Sequence, residues 1–282
     1  MKQILKSYLE YLCGVANVKE DVPLSTKTTF KIGGPAKFFV LVKTKEILVR
    51  LISALDFIEE KYFVIGNGSN VLAGDSGFDG VVMKLGFCEI IDNGSFIYAD
   101  AGAQLGAVLK YVRARDLGGL EWSFGIPATI GGAVYMNAGA HGGVMSDVVV
   151  CVDVLRGGNV VTLEADKLKF SHRTSVFQRN KDVILGAYFY LRKGYDQELE
   201  NAVREKRKLN PTQPSAGSTF GTAGIGKILD DLGLKGKRVG GAMISEQHAG
   251  WIVNVGDATC SDVLALVKQI KRGVLKLEYV MC

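Results

Sequence analysis

Two long glycine-rich segments constrain this chain more than any other feature. They run from Ile65 to Gly80 and from Gly118 to Gly143. Glycine reaches backbone conformations that other residues avoid, and the missing side chain lets main-chain N–H groups approach a bound anion. Both segments adjoin apolar runs that are typical of strands. They are therefore either tight turns between strands or, brought together, the two sides of a site that binds the pyrophosphate of a large cofactor.

Length and charge favour a two-domain globular protein. The 282 residues exceed the usual size of one domain, and 48% apolar residues with 22% charged residues argue against disorder. The net charge of +5 is modest. By composition the basic run 204–208 could contact phosphates, but such a run is usually the solvated face of a helix, and it contains no aromatic residue that would indicate a nucleic-acid site. We therefore expect no nucleic-acid partner.

The cysteines and the N-terminus indicate a reducing compartment. The five cysteines are widely spaced and form no C-x-x-C pair, so neither a disulfide framework nor a metal site is predicted. The N-terminal residues have the apolar spacing of an amphipathic helix rather than the core of a signal peptide. No apolar run is long enough to cross a bilayer. We expect a cytoplasmic protein without membrane insertion.

Apolar periodicity predicts a mixed α+β fold. Helices are expected at the N-terminus, over 45–60, in the polar stretch before Pro211, over 226–232 and over 259–275. Strands are expected over 62–65 and 251–255, and on both sides of a turn at 33–35 within 28–42. The stretches 81–101 and 148–191 alternate short β-rich runs with turns, which predicts mostly antiparallel sheet. A shift to polar composition at 193–213 predicts a domain boundary, with a first domain over 1–194 and a smaller α+β domain over 195–282.

A series of short motifs, in this order and spacing, resembles the family of UDP-N-acetylenolpyruvoylglucosamine reductases, flavoenzymes of bacterial cell-wall precursor synthesis. The resemblance extends from about Thr28 to Glu278. The motifs that carry it are FKIGGPA at 30–36, GNGSNVL at 66–72, GIPATIGGA at 125–133, NAGA at 137–140, HRTSVF at 172–177, AGSTF at 216–220 and SEQHAG at 245–250.

The resemblance implies a fold and a cofactor. Residues 1–194 are expected to form an FAD-binding domain of the vanillyl-alcohol-oxidase type, also called the PCMH type, and 195–282 a UDP-sugar domain. No G-x-G-x-x-G opening a helix is present, so the Rossmann fold is not expected. We expect non-covalent FAD. Its pyrophosphate would contact both glycine-rich segments through Asn67, Gly68, Ser69, Asn70, Val71, Leu72, Gly125, Pro127, Ala128, Thr129, Gly132 and Ala133.

The resemblance also implies a reaction. NADPH would reduce FAD, which would reduce the double bond of UDP-N-acetylglucosamine enolpyruvate and give UDP-N-acetylmuramate. Hydride addition places negative charge on the carbon next to the carboxylate, so the site needs a cation there and a proton donor. By motif, Arg173 stabilises that charge, Ser218 donates the proton and Glu278 polarises the substrate carboxyl. We expect a monomer of the compact subtype, which lacks an inserted loop over the substrate.

The substrate side departs from the family in two places. His248, Asn254 and Lys227 are expected to bind substrate. His172 stands where the family usually has tyrosine, and residues 221–223 read Gly-Thr-Ala where it has Lys-Asn-Pro. The lysine contact to the diphosphate is therefore either absent or made by Lys227, Lys235 or Lys237.

Two other functions stay open from the sequence. The FAD domain is compatible with an alcohol or sugar-acid oxidase of the same superfamily, which oxygen-dependent turnover of a small alcohol would reveal. The altered motifs at His172 and Gly221 are also compatible with a flavin-binding or nucleotide-sugar-binding protein without catalysis. Tight UDP-sugar binding with an unreactive flavin would distinguish that case.

Overall fold

The computed structural model describes residues 2–220, 224–270 and, for the backbone only, 280–281. These residues group into two compact units, each drawn from several stretches of chain. The first unit contains 2–19, 39–66 and 81–207, and the second contains 20–38, 67–80 and the described part of 208–282. The predicted division of function between 1–194 and 195–282 stays a prediction.

The described α-helices are mostly short and amphipathic. Their bounds are Lys2–Cys13 (α1), Lys45–Phe57 (α2), Leu105–Arg113 (α3), Ile130–Tyr135 (α4), Gln197–Arg207 (α5), Ile225–Asp231 (α6) and Cys260–Ile270 (α7). None of these helices is both long and apolar enough to span a bilayer.

The strands of the N-terminal half are Val18–Pro23 (β1), Pro35–Val42 (β2), Tyr62–Ile65 (β3), Leu72–Ala73 (β4), Phe78–Leu85 (β5), Ile90–Asp92 (β6), Ile97–Asp100 (β7), Leu117–Gly118 (β8), Gly139–Ala140 (β9) and Gly143–Val144 (β10). Those that follow are Val149–Arg156 (β11), Asn159–Glu164 (β12), Val183–Phe189 (β13), Arg192–Lys193 (β14), Ser215–Ser218 (β15), Arg238–Val239 (β16), Ala242–Ile244 (β17), Trp251–Asn254 (β18) and Val280–Met281 (β19).

A five-stranded antiparallel sheet supports the second glycine-rich segment in the first unit. Its strand order is β12-β11-β13-β7-β6. The register pairs Val152 with Ala187 and Ala187 with Ala99, and all three side chains are buried. Helix α4 packs on β13. The sheet therefore fixes α4, the helix that lies within the segment 118–143.

A strand, helix and strand arrangement positions the first glycine-rich segment. In α2, Leu48, Leu51 and Leu55 form one fully buried stripe. Strand β3 pairs in parallel with the first-unit part of β5, with Tyr62 opposite Val81. Because β3 ends at Ile65, the chain turns at once into the glycine-rich segment.

The second unit has its own sheet and core. Strands β15, β18, β17 and β16 lie in that order and pair antiparallel. Helix α7 packs on β16 and β17. Ile244 and Ile252 on the sheet share one core with Val263 and Leu266 on α7.

Most predicted elements are confirmed, including α2, the strands at 62–65 and 251–254 and the antiparallel sheet. The strand predicted before the turn at 33–35 is wrong. Residues 28–32 form a turn, in which the Thr28 hydroxyl donates to the Ile32 carbonyl at 3.1 Å and Lys31 has φ +56°. Side-chain hydrogen bonds of this kind compete with strand formation. Strand β1 and helix α3 were not predicted.

Candidate functional site

The two glycine-rich segments meet in the first unit, at Gly66 and Thr129. A Cβ on Gly66 would lie only 2.6 Å from the Thr129 hydroxyl oxygen. That hydroxyl also accepts a hydrogen bond from the Gly132 amide at 3.3 Å, which caps α4. Only glycine permits this approach without displacing the cap. The contact therefore joins the turn after β3 to the turn before α4.

The turn before α4 is open to solvent. Gly125 and Pro127 are exposed and Ala128 is half-buried, while Thr129 is buried. Gly125 has φ +73°, a left-handed conformation that favours glycine. The Ala128 carbonyl accepts a hydrogen bond from the Leu105 amide at 2.9 Å. A fixed turn with small, exposed residues leaves room for a cofactor pyrophosphate against the backbone, so these residues fit FAD.

The rest of the first glycine-rich segment belongs to the second unit. The Gly68 carbonyl accepts a hydrogen bond from the Thr29 amide at 3.2 Å. Leu72 is buried in the core of that unit, whereas Asn67, Ser69 and Asn70 are half-buried. The turn is thus anchored at its start and its end, with polar side chains between the two anchors.

Arg173 lies in a tight turn that is tied to the end of α4, within the first unit. Its backbone has φ +53°, and the flanking Ser171 and Thr174 exchange two backbone hydrogen bonds of 3.0 Å. The Asn137 side chain donates to the Ser171 carbonyl at 3.0 Å. The Ser175 hydroxyl donates to the carbonyl of Tyr135, the last residue of α4, at 2.6 Å. The position of Arg173 is therefore fixed relative to the helix that Thr129 caps.

Ser218 and His248 adjoin the same glycine in the second unit. The Ser218 hydroxyl oxygen lies 3.5 Å, and His248 Cε1 2.9 Å, from the position that a Cβ on Gly250 would take. The Gly250 amide donates to His248 Nδ1 at 3.0 Å. The pairing of β15 with β18 shifts register between Ser215 and Ser218. Such bulges re-aim side chains, and here the bulged strand carries the predicted proton donor.

The predicted substrate-binding residues differ in their surroundings. Asn254 is engaged in the second unit, because its side chain donates to the Phe30 carbonyl at 3.2 Å and accepts from the Gly256 amide at 3.0 Å. Lys227 and Lys235 form exposed ion pairs of 2.8 Å with Asp231 and Asp230 respectively.

Lys237 is half-buried, and it has no ion pair with any residue that the structure describes. Glu278 and the altered stretch 221–223 lie outside the described residues.

Sequence reasoning missed Asp75, which orients the second unit's helix α7. Its carboxylate accepts hydrogen bonds from the Cys260 amide at 2.6 Å and from the Ser261 amide at 2.9 Å. Burial would raise the pKa of Asp75, but the hydrogen bonds from Ser261 and Cys260 outweigh it and lower the pKa. The partners are 185 and 186 residues apart in sequence. No local pattern could have predicted them.

A second network that the sequence did not reveal fixes α5 in the first unit. The buried Glu200 carboxylate pairs with Arg113 at 3.1 Å and with Arg204 at 2.8 Å, and it accepts a short hydrogen bond from the Tyr195 hydroxyl. Burial would raise the pKa of Glu200, but these partners lower it. The Arg204 guanidinium also stacks 4.2 Å from the centre of the Phe124 ring. Helix α5 is therefore held beside the turn at Gly125.

Two family models match the chain. Residues 36–164 match a model described as an FAD binding domain. Residues 210–280 match a model described as the C-terminal domain of UDP-N-acetylenolpyruvoylglucosamine reductase. The two matches follow the chain in the order that the sequence motifs predicted.

Curated relatives match over nearly the whole chain. A UDP-N-acetylenolpyruvoylglucosamine reductase from Pseudothermotoga lettingae is 42% identical, over 91% of this chain and 92% of its own length. One from Caldanaerobacter subterraneus subsp. tengcongensis is 39% identical, over 97% of this chain and 91% of its own length.

Solved structures show the same fold. The UDP-N-acetylenolpyruvylglucosamine reductase of Thermus caldophilus superimposes with a TM-score of 0.82 at 35% identity, over 93% of this chain and 98% of its own. An alkyldihydroxyacetonephosphate synthase superimposes with a TM-score of 0.52 at 14% identity, over 68% of this chain and 40% of its own. With the FAD-binding model, these likenesses confirm the predicted α+β fold with a vanillyl-alcohol-oxidase-type FAD domain.

Proposed function

The chain belongs to the family of UDP-N-acetylenolpyruvoylglucosamine reductases, and from this membership we propose how its own residues share the reaction. The protein is an FAD-containing oxidoreductase that reduces UDP-N-acetylglucosamine enolpyruvate to UDP-N-acetylmuramate in peptidoglycan synthesis, with NADPH as reductant. Bound FAD would supply the transfer of hydride from NADPH to the enolpyruvyl double bond. The remaining work of binding, charge stabilisation and proton transfer falls to the side chains.

The segments 67–72 and 125–133 bind FAD in this proposal. The observation that carries it is the contact of Gly66 with Thr129, which supports a joint role for the two turns. A dinucleotide needs backbone donors near its phosphates and small residues beside them. Gly125, Ala128, Gly132 and Ala133 supply small residues in the second turn.

Arg173 stabilises the negative charge that develops next to the substrate carboxylate. A guanidinium presents a rigid fork of donors that matches a carboxylate in two places, so its charge stays oriented. The turn that carries Arg173 is bonded to Asn137 and Tyr135, which supports a preorganised position. Preorganised donors act without a reorganisation cost during the reaction.

Ser218 donates the proton to the carbon next to the substrate carboxylate. A serine hydroxyl is a weak acid in water, so this role requires a fixed geometry towards the carbanionic carbon. Half-buried in a bulged strand, Ser218 has no side-chain hydrogen bond to the residues described. Its hydroxyl is thereby available to substrate. Glu278 polarises the substrate carboxyl in the same proposal, on the strength of the family motif alone.

Substrate binding falls to His248 and a lysine. His248 adjoins Ser218 at Gly250, which supports a role beside the reacting carbon. Asn254, whose amide holds the Phe30 carbonyl, contributes by keeping that turn in place. Lys227 binds the diphosphate only if it leaves Asp231, whereas Lys237 is not held by such a pair. We extend the proposal to a cytoplasmic monomer, with FAD binding over 1–194 and UDP-sugar binding over 195–282.

The test is NADPH oxidation by the purified, FAD-supplemented protein with and without UDP-N-acetylglucosamine enolpyruvate. Consumption that depends on this substrate, with UDP-N-acetylmuramate as the product, is expected. Oxidation independent of the substrate, or turnover of a small alcohol with oxygen, would instead favour an oxidase of the same superfamily. Bound UDP-sugar with an unreactive flavin would indicate a protein that binds without catalysis.

A further inference from the structure

Arg207 is half-buried beside Gly125 in the first unit, and its Nε lacks an acceptor among the described residues. A Cβ on Gly125 would lie 2.7 Å from Arg207 Cδ and 3.3 Å from Nε. Nε is shielded from solvent and has no hydrogen-bond partner among the residues that the structure describes. Burying a charged donor without an acceptor costs free energy. We therefore expect Nε to bind a hydrogen-bond acceptor that does not belong to the chain.

The surroundings of Arg207 are positively charged. Partial burial lowers the pKa of His141 in the second glycine-rich segment, and the positive charges of Arg207 and Lys206 lower it further. Burial lowers the pKa of Arg207 as well. We call Arg207, Lys206 and His141 the Arg207 cluster. A bound anion would be attracted by the positive charges of Arg207 and Lys206.

Arg204, one turn earlier on α5, shows the ordinary structural arrangement for comparison. Its guanidinium pairs with Glu200 at 2.8 Å and stacks on the Phe124 ring. Glu200 also holds Arg113 and Tyr195, so this carboxylate is already shared among several donors. Helix α5 thus carries two different arginines. The charge of Arg204 is paired with Glu200, whereas Nε of Arg207, at the exposed turn of Gly125, has no partner among the described residues.

We propose that the Arg207 cluster is an anion site at the Gly125 turn, which binds a phosphate group of a dinucleotide. The inference rests on the proposed function, because it takes this turn to be part of the FAD site. FAD and NADPH carry the same phosphate chemistry. The FAD pyrophosphate is the first source to test, since Gly125 begins the predicted FAD-binding segment 125–133.

The first arm measures FAD affinity without substrate. Flavin released on dilution of the holoprotein is followed by its fluorescence for wild type, Arg207→Gln, Arg207→Lys and Arg50→Gln. Arg50 is an exposed arginine on α2 outside the cluster, so its variant controls for the loss of one positive charge. Arg207→Gln should raise the dissociation constant of FAD about tenfold or more, because it removes a charge-assisted hydrogen bond. Arg207→Lys should retain part of the affinity.

The second arm compares NADPH with NADH as the reductant of bound flavin. If the cluster binds the 2′-phosphate of NADPH, Arg207→Gln raises the KM for NADPH, leaves the KM for NADH unchanged and spares FAD. Either result supports a nucleotide-phosphate site and identifies its source. Equal behaviour of Arg207→Gln and Arg50→Gln in both arms would overturn the proposal.

A folding defect is separated from ligand loss by a second variant. Lys206 is exposed, so Lys206→Gln should fold normally. Because it removes one positive charge from the Arg207 cluster, it should raise the dissociation constant of the bound nucleotide about twofold to threefold. If Arg207→Gln does not fold, an unchanged Lys206→Gln overturns the proposal. Failure of the proposed function itself would be seen separately, as wild-type protein that binds FAD but does not reduce the enolpyruvyl substrate.

Discussion

The Gly250 amide donates a 3.0 Å hydrogen bond to Nδ1 of His248, and the Gly250 carbonyl accepts a 2.9 Å hydrogen bond from the Thr219 amide. Thr219 directly follows Ser218, so one short stretch of backbone links the imidazole to the predicted proton donor. A hydrogen bond accepted at Nδ1 requires that this nitrogen carry no proton. We therefore expect His248 to act as a positioning residue for Ser218 in addition to its proposed contact with substrate.

Replacing His248 separates these two roles. His248→Asn can keep an acceptor near the Nδ1 position, whereas His248→Ala removes it. We expect His248→Ala to slow reoxidation of the reduced flavin by substrate about fivefold to tenfold, because it loses one hydrogen bond of about 1 kcal/mol. His248→Asn should recover most of that rate. Single-turnover kinetics at saturating substrate measure it, and equal defects in both variants would refute the positioning role.

Ser218→Ala tests the proton donor itself. The variant should bind FAD and accept hydride from NADPH as wild type does, because those steps do not use the hydroxyl. Reoxidation of the reduced flavin by substrate should slow by about a hundredfold or more, which is the usual contribution of a general acid. Stopped-flow flavin absorbance measures both half-reactions. A variant as fast as wild type in the second half-reaction would assign the proton to another group.

The sequence predicted the elements whose apolar period is strong. Helix α2 buries Leu48, Leu51 and Leu55 in one stripe, and this spacing is readable without any tertiary information. The predicted strand at 28–32 failed because the Thr28 and Thr29 hydroxyls bond to carbonyls, including that of Ser215 in the distant strand β15. Composition favoured a strand there, but these hydrogen bonds, one of them to a residue distant in the sequence, stabilise a turn instead.

The candidate site, too, could be predicted from the sequence only in part. The glycine-rich segments indicated a phosphate-binding site, and the motif resemblance supplied candidate residues. The pairing of Gly66 with Thr129 was predicted only in outline, as two turns brought together. Asp75 was missed, because its hydrogen-bond partners lie far away in the sequence. Arg207 belongs to the basic run 204–208, for which a solvated helix face was favoured, whereas its Nε is shielded from solvent. Local patterns show neither which distant amides bond to a carboxylate nor which arginine of a basic run is buried.

The close approach of Gly66 predicts a selective effect of adding one methyl group. Gly66→Ala would place a Cβ 2.6 Å from the Thr129 hydroxyl and displace the cap of α4, so we expect weaker FAD retention and a lower melting temperature. Gly106→Ala is the matched control. Gly106 lies in α3 with open space around it, and alanine should stabilise that helix by about 0.5 to 1 kcal/mol. Thermal unfolding and bound-flavin content report both effects. Equal tolerance of the two alanines would contradict the contact.

Asp75→Asn should destabilise the protein in a pH-dependent way. Loss of the charged acceptor for the Cys260 and Ser261 amides is expected to cost about 1 kcal/mol at neutral pH. The pKa of Asp75 is lowered in the folded state, so its contribution is present above the unfolded pKa and is lost as the pH falls through the folded pKa. Urea unfolding at pH 7 and below about pH 4 should show the difference between wild type and variant shrinking in acid. A difference independent of pH would mean that the charge does not matter.

The diphosphate contact predicted for a lysine is best tested by comparing Lys237 with Lys227. Lys227 already pairs with Asp231 at 2.8 Å on an exposed helix face, and such pairs contribute little free energy but occupy the ammonium. Lys237 is half-buried in the turn before β16 and has no such pair within the described residues. Lys237→Gln should therefore raise the KM for the UDP-substrate about tenfold while leaving flavin reduction by NADPH unchanged, as expected for a lost charge-assisted contact to phosphate. Lys227→Gln serves as the matched control and should change KM by less than about twofold. Steady-state kinetics over a range of substrate concentrations distinguish the two lysines. A larger increase in KM for Lys227→Gln would assign the diphosphate contact to Lys227 on α6.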